Sequence, residues 1–207
     1  GSGMGGACSQ NSGIIRNGFV YDSSLLRIST GVYGGSDEVS LGSSGGLVGT
    51  NNSGAVIENV YGVLSMGVEK NANQKTAGSL GSFGLLAGNN VGMIKNSFTN
   101  GEIYFQSWEK KLGSSEQELV TVPVNSSRTW PGTSNQGKAY ENNCKYFSNS
   151  VYRSNDSYTQ YMNMEAALKS AKFYDGCINR DNAFVVGTQI DQGYYPIINM
   201  PDCMDGI

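Results

Sequence analysis

The apolar residues of this chain come in short groups, and the groups recur. Gly45-Gly46-Leu47-Val48-Gly49-Thr50-Asn51-Asn52 is followed by Val56-Ile57-Glu58-Asn59-Val60-Tyr61. A second copy reads Phe83-Gly84-Leu85-Leu86-Ala87-Gly88-Asn89-Asn90, then Met93-Ile94-Lys95-Asn96-Ser97-Phe98. Gly84 follows Gly46 by 84 − 46 = 38 positions and Asn96 follows Asn59 by 96 − 59 = 37. Ile14-Ile15-Arg16-Asn17-Gly18-Phe19 echoes the same text upstream, its Asn17 lying 59 − 17 = 42 positions before Asn59. Within one period the pattern predicts three short strands, at residues 47–48, 56–61 and 63–68, divided by turns at 50–54 and at Gly62. Residues 14–28 are expected to form two strands split by Asp22-Ser23-Ser24. Strands this short cannot form stable hairpins alone. A repeat of this length is the mark of a stacked array, in which each unit buries its apolar edge on the next. The expected fold is therefore all-β, a short parallel β-helix with three faces per coil. Leu47 should lie over Leu85, Ile15 over Ile57 and Ile94, Phe19 over Tyr61 and Phe98, and Asn59 beside Asn96. Gly49, Gly54, Gly62, Gly88 and Gly92 suit corners needing positive φ or close approach. The asparagines suit them too, since Asn tolerates the left-handed region.

The rest of the chain departs from the repeat. Residues 69–82 are polar and predict a loop that leaves the stack and returns. Residues 107–139 are poor in aliphatics except for Leu119-Val120-Thr121-Val122-Pro123-Val124, and are expected to be a long loop excursion with at most one added strand. Asn142-Asn143-Cys144-Lys145-Tyr146-Phe147 resumes the repeat, with Asn143 in the place of Asn96. One helix is predicted over residues 163–173, capped by Asn163, with Gly176 just past its end. Strands are expected at 183–186 and 195–198. A stack of parallel strands has open edges at its ends, and this helix with the last strands is placed to be the C-terminal cap. The resulting division is 1–7 as a cloning remnant without order, 8–106 as coils, 107–141 as the excursion, and 142–207 as last coil and cap.

Composition narrows the setting. Only 15% of residues are charged, Gly is high at 29 residues, and Tyr (12) outnumbers Phe (7), as in a secreted or surface β-protein. Fourteen Lys and Arg against 17 Asp and Glu argue against a nucleic-acid or anionic-membrane partner. No run approaches the ~18 apolar residues of a membrane span. There is no histidine, which excludes Ser-His-Asp and Cys-His centres and the commonest transition-metal ligand. No calcium loop, phosphate loop or zinc spacing is present, and neither metal nor cofactor is expected. Cys8, Cys144, Cys177 and Cys203 allow three disulfide connectivities, or buried thiols instead. The pairing expected is Cys144 with Cys177.

The Gly46-Leu47-Val48-Gly49-x-Asn51 text followed by Ile57-x-Asn59-x-Tyr61 resembles the GLUG repeat of bacterial surface proteins. Leu86-Ala87 stands where that pattern has Val-Gly, and Gly54 is offset by one residue. The end of the chain is similar as well, with Asn143-Cys144-Lys145-Tyr146, a helix, and Gly193-Tyr194-Tyr195-Pro196-Ile197. The resemblance covers roughly residues 12–105 and 142–199. It implies a right-handed β-helix outside the cell, in adhesins, in pilin-like subunits, or beside the catalytic domain of surface metallopeptidases. It implies no catalytic residues.

Three functional readings follow. The first is an extracellular structural or adhesive module of a bacterial surface or pilus-associated protein, not an enzyme. Its partners would be a host or surface glycan or protein, or neighbouring subunits. Trp108, Trp130 and Tyr104, on or near the polar excursion, are its candidate binding residues, since exposed aromatics stack on sugars or anchor proteins. Folding back onto the stack as a plug is the plainer fate for such side chains. The second reading is a carbohydrate-active β-helix with Asp22, Glu58, Lys95 and Glu102 on one face. The third is a spacer beside a catalytic domain.

Overall fold

The computed structural model describes residues 4–29, 42–70, 82–110, 112–123, 141–148, 151–154, 158–160, 168–179 and 181–199. The protein is mostly β, with parallel sheets. Strands β1 (Met4–Gly5), β2 (Cys8–Asn11) and β3 (Ile14–Ser29) enter three different sheets in turn. β4 (Ser44–Gly45), β5 (Val48–Asn51) and β6 (Val56–Lys70) visit the same sheets in the same order. So do β7 (Phe83–Gly84), β8 (Ala87–Asn90) and β9 (Met93–Asn100). Each set pairs in parallel with the next, giving three rungs. β10 (Ile103–Lys110) continues β9 along β6, and β12 (Glu141–Ser148) adds a fourth rung on β9.

Like residues stack because the register is nearly constant. Ile15, Ile57 and Ile94 are aligned, as are Phe19, Tyr61 and Phe98. Ile57 and Ile94 pack with Val48, Val60, Leu86 and Cys144 in a buried cluster. The first expected column is off by one residue. The backbone pairs Gly45 with Gly84 and Val48 with Ala87, a spacing of 39, so Leu47 lies level with Leu86 and not Leu85. Leu47 accordingly donates its N–H to the Leu86 carbonyl, while Leu85 packs with Leu64, Met66 and Phe83. Both glycines of the pair are confined: a Cβ added at Gly45 would lie 2.6 Å from the Gly88 nitrogen and 2.1 Å from the Val48 carbonyl oxygen, and one at Gly46 would lie 2.2 Å from the Leu85 carbonyl oxygen, so only glycine fits at either. The register returns to 37 by Val56↔Met93, because four residues (52–55) turn the chain in one rung and two (91–92) in the next.

Asparagine sets the bends. Asn17, Asn59, Asn96 and Asn143 all have left-handed backbones, with φ of 55°, 52°, 48° and 52°. They stack in one column, where Asn59 Nδ2 donates to Asn17 Oδ1 at 3.1 Å and Asn143 Nδ2 to Asn96 Oδ1 at 3.0 Å. A second column joins Asn11 to Asn51 and Asn51 to Asn90, each at 2.8 Å and buried.

Several expectations are corrected. Met4 and Gly5 are not a loose remnant: they pair with Ser44 and Gly45, and Gly6 and Ala7 donate to the Gly46 and Leu47 carbonyls. β3 runs unbroken past Asp22-Ser23-Ser24, which makes a bulge between Tyr21 and Leu25. The excursion begins as a hairpin, with β10 antiparallel to β11 (Gln117–Pro123) around a turn that uses Gly113 at φ 79°. β12 is likewise covered by antiparallel β13 (Val151–Ser154), which pairs β14 (Tyr158–Gln160). Leu168 is helical, Lys169 and Ser170 break the run, and helix α1 spans Ala171–Cys177, so the helix expected over 163–173 is interrupted there and Gly176 lies inside α1. Residues 161–167, including the expected Asn163 cap, lie outside the described residues, as do residues 71–81 of the expected loop. A short helix α2 (Gly187–Asp191) was not foreseen, whereas strands β15 (Phe184–Val185) and β16 (Ile197–Ile198) form within the expected ranges and pair antiparallel.

The C-terminal segment does not close the end of the stack. It lies along the side, over the aromatic column. Tyr61 and Phe98 pack with Tyr174, Cys177, Ile178, Phe184 and Val186, and Phe147 meets Phe173 edge-on at 5.5 Å. Tyr61 donates its hydroxyl to the Pro196 carbonyl at 2.6 Å. The stacked aromatics Phe19, Tyr61 and Phe98 of β3, β6 and β9 supply apolar area that a strand edge lacks, which explains the lateral seat.

Two stability measurements test this account. Asn59→Ala should cost about 2 kcal/mol, from the left-handed backbone and the lost amide bond together, whereas Asn59→Gly should recover roughly half. Thermal melts resolve the pair, since 1 kcal/mol shifts Tm by about 2–4 °C at this size. Gly88→Ala should cost at least about 3 kcal/mol, because the added Cβ would meet Ser44 backbone atoms at 2.3–2.6 Å and backbone cannot step aside.

Candidate interaction surface

The binding residues expected from sequence fall into different situations. Tyr104 and Trp108 both lie on β10, where Tyr104 pairs with Gly67 and Pro123 and Trp108 stands opposite Leu119. Tyr104 is half-buried. Trp130 lies outside the described residues. Four residues of strand set Trp108 about 13 Å beyond Tyr104. β10 runs beside β6 as far as Ser107↔Lys70, so Trp108 stands one residue past that pairing, before a turn whose Leu112 is fully exposed.

A charged column runs across the first three rungs. Glu58 accepts Arg16 Nη2 at 3.2 Å and Lys95 Nζ at 2.8 Å. Two of the residues considered for carbohydrate chemistry, Glu58 and Lys95, are thus engaged with each other. Among the described residues no group of three or more His, Cys, Asp and Glu converges as a metal site would require, and no helix is long and apolar enough to cross a membrane.

The C-terminal segment forms an open cleft of about 380 Å³ against its own tyrosines. Leu168, Ile190, Tyr174, Tyr194 and Tyr195 line it. Tyr195 stacks near Tyr61 and Phe98, and its hydroxyl accepts Asn100 Nδ2 at 3.0 Å. Tyr174 donates its hydroxyl to the Leu168 carbonyl. Burial raises the pKa of Tyr61, Tyr174 and Tyr195 above the ordinary phenol, with the neighbouring tyrosines adding to it. These rings stay neutral, apolar and fixed. Tyr194 alone is mostly exposed among them. Sequence reasoning treated the Tyr194-Tyr195 pair only as part of the repeat's closing text; an inserted aromatic beside a glycine turn was the signal available.

The expected Cys144–Cys177 bridge is not formed. The two thiols belong to different apolar clusters, Cys144 with Ile57 and Ile94, Cys177 with Tyr61 and Phe98. Cys144 donates to the Ile94 carbonyl at 3.3 Å and Cys177 to the Ser97 carbonyl at 3.4 Å. Cys203 lies outside the described residues. Burial pushes the Cys177 thiol up to about 12, with Lys145 pulling slightly the other way.

No family model matches the chain, and no curated protein or solved structure matches it either.

The lowered acidities give a signed pH dependence. Cys177 rises from an ordinary 9.0 and the two buried tyrosines Tyr61 and Tyr174 from 10.0, so the unfolded chain loses these protons first. Their contribution is complete below pH 9.0 and declines as pH rises through and beyond 10.0, so Tm should fall steadily there. Iodoacetamide at pH 8 should leave Cys177 unmodified in the folded protein and alkylate it in denaturant, read by peptide mass mapping; labelling in the folded state would refute the burial.

Proposed function

We propose that the chain is an extracellular structural and adhesive module of a bacterial surface or pilus-associated protein. In this reading it winds as a short right-handed parallel β-helix of the GLUG-repeat kind and holds out the β10–β11 hairpin as its contact arm. The observation that supports it best is the in-register stacking of like residues over successive rungs, such as Ile15, Ile57 and Ile94. Stacked repeats buried on one another make a stiff rod whose insertions gather as loops on its flank. A stiff rod that fixes the place of its hairpin suits attachment, because little ordering is left to be done at the moment of contact. The partner class is a glycan or protein displayed on a host or neighbouring cell.

The experiment is binding of the whole chain to immobilised glycans and extracellular-matrix proteins. A bound partner should lose at least about tenfold in affinity with Trp108→Ala, as for a buried aromatic anchor, while Tm stays unchanged. Binding that ignores Trp108→Ala would refute the hairpin as contact arm. Absence of any partner would favour the spacer reading, and turnover of a polysaccharide would overturn both.

A further inference from the structure

The second and third rungs meet imperfectly at one corner. The left-handed asparagine column is broken there. Asn59 bonds back to Asn17 and Asn143 bonds back to Asn96, but no bond joins Asn96 to Asn59. Asn59 is 3% exposed, and its Oδ1 is buried with no hydrogen-bond partner. Asn96 Nδ2 has no acceptor among the described residues. A matched donor and acceptor on facing rungs therefore stay apart, although leaving a buried acceptor unpaired is costly.

The backbone ladder is interrupted at the same place. Gly18 pairs with Val60 between the first and second rungs, and Ser97 pairs with Cys144 between the third and fourth. Between the second and third, pairing runs from Val56↔Met93 to Glu58↔Lys95 and resumes at Tyr61↔Phe98, passing over Val60 and Ser97. The side chain at Ser97 accounts for both breaks. Its counterparts in the other rungs are Gly18, Val60 and Cys144, so the third rung alone has a hydroxyl there. Ser97 is fully buried, and its Oγ donates to the Lys95 carbonyl of its own strand at 2.8 Å while accepting the Val60 N–H at 3.4 Å. A hydroxyl thus stands where backbone would meet backbone.

We propose that this corner is a buried hydration site, in which the Ser97 hydroxyl wedges the second and third rungs apart and one water molecule bridges Asn96 to Asn59. The water accepts from Asn96 Nδ2 and donates to Asn59 Oδ1. Its chemistry follows from the two groups it must satisfy, since one needs an acceptor and the other a donor. A cation would suit the oxygen and be repelled by the amide hydrogens, and an anion would do the reverse. Internal waters settle where the protein leaves buried polar groups unpaired. Asn96 is only half-buried, which gives the water a way in. The C-terminal segment is fastened beside the same joint, with the Cys177 thiol on the Ser97 carbonyl and the Gly176 carbonyl accepting Asn143 Nδ2. The site is independent of the hairpin and of any glycan partner.

The test is a crystal structure of the whole chain together with Ser97→Ala. Density for one water should lie about 3 Å from both Asn59 Oδ1 and Asn96 Nδ2. A direct bond between the two amides, or no water between them, would overturn the proposal. In Ser97→Ala the wedge is gone, so the rungs should close, Asn96 should bond Asn59 directly, and Tm should hold to within about 2 °C. Closure has its own signature. Asn96→Gly keeps the left-handed backbone, and it should lower Tm by about 2–4 °C more in the Ser97→Ala protein than in the unsubstituted one, as for one added hydrogen bond. Equal losses in the two backgrounds, or a fall in Tm of more than about 4 °C from Ser97→Ala alone, would also overturn it.

Discussion

Backbones of neighbouring strands lie about 4.8 Å apart, and a rung that repeats its predecessor sets each side chain against a near copy of itself at that distance. Few residue types tolerate this. Aliphatic chains do, so Ile57 sits over Ile94. Aromatic rings do when they lie face to face, and the 5.1 Å between Phe19 and Tyr61 and between Tyr61 and Phe98 is close to the strand spacing itself. Primary amides do because each is both donor and acceptor, hence two asparagine columns. Like charges do not, and the charged column Arg16, Glu58, Lys95 alternates its sign. The repeat is therefore not copied everywhere: where copying would be repulsive, the sequence varies.

The same spacing explains the corners. A rung must bend between sheets without pushing its neighbours apart. Asn at φ near +50° bends the backbone and leaves its amide free to bond along the column. Glycine at Gly45 and Gly88 lets two rungs approach where a methyl group would strike backbone. Register is thus held by close fit at the glycines and by directional bonds at the asparagines, and the apolar columns follow from both.

Much of this was legible in the sequence because stacking writes itself as repetition. The isoleucine, aromatic and Asn59 columns were readable from spacing alone. The Leu47–Leu85 match was wrong by one residue because shared letters align through Gly46 and Gly84, whereas the backbone pairs Gly45 with Gly84. The first rung was hidden for a related reason. Met4-Gly5-Gly6-Ala7-Cys8 keeps the glycine pair but lacks the leucine and valine, so only the parallel pairing with Ser44-Gly45 and Val48 reveals it. The lateral seat of the C-terminal segment depends on tertiary packing against Tyr61 and Phe98, which local periodicity does not encode. Of the candidate binding trio, spacing could say that Tyr104 and Trp108 are near each other, but not that a hairpin would hold them.

The C-terminal segment touches every rung. Tyr195 meets Tyr21 of the first, Tyr61 of the second and Phe98 of the third, while Phe173 meets Phe147 of the fourth. Tension applied along the chain to such a body would have to slide this strap sideways across all four layers before any one of them could peel. The layers would then share the pull in shear and yield as a block, a sturdier response than unzipping one at a time.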